Sequence, residues 1–278
     1  RLEAAIVVCY VDNTLEKERA VIQQFLRGLM PFIVVSLGLA TAACGNLNVS
    51  IGEGDGVPLS ELDMTGAAPT KLVLAGPDKV VVTQGEELAI TVSGDQQAID
   101  ALRFNLQKNT LGIMREGSWK GPGIATVAIT MPPAKQIVLA GSGTINAPTL
   151  EDRAEINVAG SGTVAVDSIR SSRLDVNVMG SGTLSAAGTA ERLDFNVAGS
   201  GTLAARALKV ERAEVNIAGN GGGEFASDGQ VEARIAGSGS VTVFGRAECK
   251  VSAMGSGTVR CRPAATAGAA PADAEPGA

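Results

Sequence analysis

The sequence predicts an all-β protein, a single-stranded β-helix (β-solenoid) of about seven rungs, each roughly 18–20 residues long, behind an irregular β-rich N-terminal cap. Three observations carry this. The tetrapeptide Gly-Ser-Gly-Thr stands at Gly141, Gly160, Gly180 and Gly199, and variants appear at Gly219-Asn220-Gly221, Gly237-Ser238-Gly239 and Gly255-Ser256-Gly257. The spacing of these first glycines is constant enough to mean one supersecondary unit stacked on itself. Around each copy the apolar residues fall at every second place, the mark of half-buried strands rather than helices. A coil of this length is too short to hold two packed elements of which one is a helix.

Composition narrows the function classes. The 278 residues include 35 Gly, one Trp, one Tyr, six Phe and no His. Few aromatics weaken any reading that needs rings to stack sugars or bases. The absence of His removes the commonest general acid/base and metal ligand. A net charge of −6 argues against a nucleic-acid partner held through phosphates.

Residues 1–43 divide into an upstream extension and an export signal, neither part of the mature protein. The extension mixes charge and apolar residues without relation to the repeats. Arg27 then precedes the apolar run Leu29–Ala40, too short to span a bilayer but suited to the h-region of a secretory signal. Thr41-Ala42-Ala43 leads into Cys44, which resembles a bacterial lipoprotein signal with Cys44 acylated as the mature N-terminus. Thr41 departs from the usual Leu, so ordinary cleavage beside Ala42 or Ala43 is the alternative. The implied location is the cell envelope, with the membrane as a partner through the lipid anchor.

Residues 44–68, rich in Gly, Asp, Ser and Pro, form a flexible tether, and order is expected to begin near Lys71. Residues 69–135 form the cap that covers the solenoid's first open edge. Within it Leu72–Gly76 matches Ile137–Gly141, and Val80 and Val82 fall where Ile145 and Ala147 fall. Leu88–Gly94, one repeat period after Gly76, gives a further degenerate rung. Asp95–Leu102 suits a short helix, and Arg103–Glu116 and Ile124–Met131 alternate like strands.

Residues 136–262 are the solenoid. Aligned on the first glycine, each copy shows two alternating strands, with inward columns such as Ile137/Ile156/Val176/Phe195/Val215. The outward positions repeat too. Three places before the glycine stand Asn157, Asn177, Asn196 and Asn216. Five before stand Glu155, Asp175, Asp194, Glu214 and Glu232. Seven before stand Arg153, Arg173, Arg192 and Arg212. At one strand-spacing per rung, like residues stack about 4.8 Å apart over a rod roughly 30 Å long. Stacked amides hydrogen-bond along a column, and the arginines offset repulsion between the acids. The Gly-Ser-Gly supplies a corner with positive φ and no Cβ to obstruct the next coil.

The acidic column is the one constellation with chemical potential. Catalysis needs a local cluster that differs from its neighbours, whereas these acids recur with Arg beside them, so they read as structural ladders. The glycines are not a phosphate loop, since no helix follows them, and the serines lack a base. No catalytic, cofactor or metal site emerges. Cys249 and Cys261, both inward by alternation, pair as a disulfide that clamps the last coil or remain two small buried thiols. A bridge contributes about 3 kcal/mol by loop entropy. The rung Gly219–Phe225 breaks the pattern with Gly222, Glu224 and Phe225, and a locally loosened corner accounts for it. After Pro263 the tail 263–278 is expected to be disordered.

Val80-Val81-Val82-Thr83-Gln84-Gly85, Met131-Pro132 leading into Ile137-Val138-Leu139-Ala140-Gly141-Ser142-Gly143, and the later Gly-Ser-Gly copies resemble the head-GIN domain family of auto-transporter adhesins over roughly residues 70–262. The resemblance implies a β-helix on an exported, often lipid-anchored bacterial protein, and it supplies no catalytic or ligand-binding residues to carry over. The function expected is therefore non-enzymatic presentation of repeated faces to an envelope polymer, glycan or protein. The alternatives are a carbohydrate-active β-helix enzyme and a ligand-free scaffold.

Overall fold

The computed structural model describes residues 56–117, 121 and 123–262. The upstream extension, the export signal, Cys44 and the C-terminal tail lie outside them. Among the described residues the chain is a β-solenoid of about seven turns. The repeats run through β9 (Leu150–Gly160), β10 (Thr163–Gly180), β11 (Thr183–Gly199), β12 (Thr202–Gly219) and β13 (Gly222–Gly237). They finish in β14 (Ser240–Phe244), β15 (Glu248–Met254) and β16 (Thr258–Arg262), each strand lying parallel on its equivalent in the rung before.

Each rung has three sides rather than the two that the alternation suggested. In the rung from Gly160 the inward residues are Val164 and Val166, then Ile169 and Ser171, then Leu174, Val176 and Val178, all buried. The pairs Asp167-Ser168 and Ser172-Arg173 interrupt the alternation, and two adjacent outward residues mark a bend. The sides flanking Gly-Ser-Gly keep strict register, while every register shift between β10 and β13 falls at a bend that bounds the middle side. The ends of that side therefore absorb the differences in length between rungs. Its inward members, such as Ser171 and Ser227, are too mixed to signal a strand.

The Gly-Ser-Gly corner is set by contact between backbones. Gly160 has φ +120°, and a Cβ on it would lie 2.4 Å from the Gly141 oxygen. That oxygen accepts hydrogen bonds from the amides of Ser161 and Gly162, both at 3.0 Å. The first glycines of the later copies also have positive φ.

The cap departs from rung order. β1 (Lys71–Ala75) and β2 (Lys79–Gln84) form a true rung, with Leu72 on Ile137 and Val80 on Ile145 in β7 (Ala134–Gly141) and β8 (Thr144–Ala147). Beyond that rung in space lie β5 (Thr110–Arg115) and β6 (Ala125–Met131), parallel to β1 and β2. The first rung in sequence is thus second in the stack.

β3 (Ala89–Gly94), expected as a further rung, instead pairs antiparallel with β6. Alternation is the same in both pairings, so it does not separate them. β4 (Leu102–Gln107) pairs antiparallel with β5 through a turn at Lys108 and Asn109, both at positive φ. Between β3 and β4 a short helix, α1 (Gln96–Asp100), is capped by Asp95, whose carboxylate accepts from the Ala98 amide at 3.1 Å. Ordered contact begins earlier than Lys71: Val57 bridges Phe104, and Leu59 and Leu62 pack on the core.

Candidate functional site

The outer side that precedes each Gly-Ser-Gly carries the three polar columns, and the ladder register brings their members together. Asn157, Asn177, Asn196 and Asn216 lie directly over one another. Each amide donates to the carbonyl of the previous one, at 2.9, 3.0 and 3.1 Å. The chain of amides is closed at both ends. Asn157 donates to Glu155 at 2.8 Å, and Asn216 accepts from Arg234 at 3.5 Å. Asn177→Leu cuts this chain, leaving the Asn157 oxygen and the Asn196 amide without their ladder partners. Denaturant unfolding is expected to show a loss of about 1–3 kcal/mol; no loss would mean that water replaces the amide freely.

Acids and arginines interlock diagonally. Arg173 contacts Asp175 of its own rung at 2.9 Å and Asp194 of the next at 2.7 Å. Arg192 reaches Asp194 at 3.0 Å and Glu214 at 3.5 Å. Arg234, which occupies the asparagine column, binds Glu214 at 2.7 Å and also Glu232. Hydrogen bonds to Asp175 and Asp194 hold the guanidinium groups of Arg173 and Arg192 more firmly protonated than usual. Glu155 accepts from Gln136 at 3.0 Å. The acids are thus neutralised by repetition, and no group of His, Cys, Asp or Glu among the described residues is arranged to hold a metal.

Compensation stops at the C-terminal end of the face. There the arginine column passes from Arg212 to Gln230 and Glu248, and the acidic column from Glu232 to Lys250. These residues line a shallow depression of about 160 Å³ with Arg192 and Glu214. Arg212 and Arg153 form no ion pair with another described residue. The columns were legible as repeats; Arg234, Gln136, Glu248 and Lys250 were not, because each substitutes a different residue type in its column.

The irregular rung is packed rather than loosened. Phe225 is fully buried, so it cannot stack a ligand. A Cβ on Gly223 would lie 3.1 Å from the Phe195 ring, so the missing side chain is compensated by a neighbouring one. Cys249 and Cys261 are joined by a disulfide with Cα atoms 6.8 Å apart. They stand in register with the inward residues Val231 and Val243, and the bridge spans the mouth of the last coil.

A pair that repeat reading misses lies in the cap. Asp78 is 1% exposed and accepts from Arg115 at 2.8 and 2.5 Å and from the Ala125 amide at 2.9 Å. Arg115 also donates to the Gly123 carbonyl at 2.9 Å. Asp78 stands at the corner of the β1–β2 rung, where the β5–β6 rung lacks a Gly-Ser-Gly, and the guanidinium ties the two.

Fold and face together define a non-globular repeat protein with a self-compensating polar face. The chain belongs to the family described as "Putative auto-transporter adhesin, head GIN domain", whose model matches residues 68–247. No curated protein matches the sequence. Among solved structures, a "putative lipid binding protein" from Parabacteroides distasonis is 25% identical with a TM-score of 0.57, over 70% of this chain and 93% of that one. A "putative adhesin" from Bacteroides fragilis is 21% identical with a TM-score of 0.62, over 70% and 92%. The latter likeness speaks for the fold alone.

Proposed function

We propose that this protein is a non-enzymatic component of the bacterial cell envelope, exported and anchored through acylated Cys44, whose solenoid presents its outer faces to an envelope polymer, glycan or protein. The observation that supports a presenting scaffold over a reaction centre is the interlocked ladder. Asp175, Asp194 and Glu214 each share arginines, so none stands apart as a general acid or base. Family membership supports the adhesin-like role, and the apolar run ahead of Cys44 supports export.

The test is a binding screen of the exported protein against glycans, peptidoglycan and lipid vesicles, the last included because of the Parabacteroides neighbour. Saturable binding to one of them is expected. Silence across the screen from folded protein would move the reading to a scaffold without a ligand. Arg192→Ala is expected to lower the Tm only slightly, because the pair is exposed and screened by solvent, and to leave binding intact. Binding lost at unchanged Tm would place the ligand on the ladder face. Cys44→Ser is expected to release the protein from membranes, and retention would count against the anchor.

A further inference from the structure

The two ends of the solenoid are finished differently. At the N-terminal end α1 lies over the core, with Ala98 and Ala101 buried and Ile99 packed against it. At the C-terminal end, among the described residues, β15 pairs only with β13 and β16 only with β14. Each therefore keeps an edge of unpaired amides and carbonyls, which invites a further strand. The core is open there as well. Val251 is 51% exposed, whereas Val215 and Ala233, beneath it in the same inward column, are 0% exposed.

We propose that this rung docks a second copy of the chain, tail to tail, about a twofold axis through the Gly255-Ser256-Gly257 corner. Such an axis, perpendicular to the solenoid, lays β15 antiparallel on the partner's β16 and β16 on the partner's β15, so that two open ends close each other. With Gly255 opposite the partner's Gly255, the register follows. Val251 meets the partner's Val259, Cys249 the partner's Cys261, and Ser252 the partner's Thr258. Inward residues thus cover inward residues, and Glu248 meets the partner's Arg262 with opposite charge. The one like-charged contact sets Lys250 against the partner's Arg260, and Glu232, in register beneath Lys250, offsets it.

A second copy fits better than other occupants. The roofed N-terminal end rules out head-to-tail stacking. The following segment, 263–278, carries Pro263, Pro271 and Pro276, which donate no amide, and its remaining residues are mostly Ala and Gly, poor strand formers.

The experiment is sedimentation of the protein purified after export of the full chain, with chemical cross-linking. A dimer is expected, and Val251→Asp should raise its dissociation constant at least about tenfold while the far-UV circular-dichroism spectrum of the folded chain stays unchanged. Mixing a Ser252→Cys chain with a Thr258→Cys chain under oxidation should give a cross-linked heterodimer, and Ser252→Cys alone should not. A monomer at up to about 100 μM overturns the proposal. So does a dimer that Val251→Asp leaves untouched or that forms no 252–258 cross-link. Dimerisation that appears only after deletion of 263–278 overturns it too, because the tail then holds the edge.

Discussion

Gly160→Ala is expected to destabilise the solenoid by about 3 kcal/mol or more, a large loss for one methyl group. Two effects act together. The backbone at φ +120° is a region that side chains other than hydrogen rarely enter. The new Cβ would also sit 2.4 Å from the Gly141 oxygen. That oxygen cannot retreat without giving up the Ser161 and Gly162 amides that hold the rungs together. The neighbouring Ser161→Ala, on an exposed side chain, should change stability by less than about 0.5 kcal/mol. Urea unfolding of the two variants compares them directly; equal losses would mean that the corner tolerates side chains and that its glycines serve another purpose.

Arg115→Met is expected to cost about 3–5 kcal/mol, because it strands the Asp78 carboxylate in the cap without its cation. The side chains are 6% and 1% exposed, so water cannot readily take over. Asp78→Asn combined with Arg115→Met should recover part of the loss, since no uncompensated charge is left behind. Hydrogen exchange should place the damage in β5 and β6. A loss below about 1 kcal/mol for the single variant would show that the carboxylate finds other partners by relaxing.

The repeated part of this fold was legible because its signal is periodic. Val164, Leu184 and Leu203 occupy one inward column, and the asparagines one outward column, at spacings that only stacked strands explain. The third side was not legible, because Ser171, Ala190, Val210 and Ser227 share neither size nor polarity. The stacking order of the cap was hidden for another reason. Leu72–Ala75 resembles β7 as one rung resembles another, and likeness does not say which rung lies between which. Asp78 and Arg115 were invisible because each occurs once. The same limit applied to Arg234, which continues the ladder only when register is known.

The displaced first rung has a consequence for how the molecule is made. β1 and β2 are synthesised before the strands they pair with: both neighbours they need, β5–β6 and β7–β8, lie later in the chain. One edge of those early strands stays bare until Met131, the end of β6, has been made, and the other until Ala147, the end of β8. From that point each new coil finds a finished template one rung behind it, and growth becomes vectorial and local. The cap thus acts as a slow seed and the glycine-cornered array as fast elongation from it. Lesions in the cap should therefore abort assembly outright, whereas lesions in a late rung should leave a shorter but competent rod.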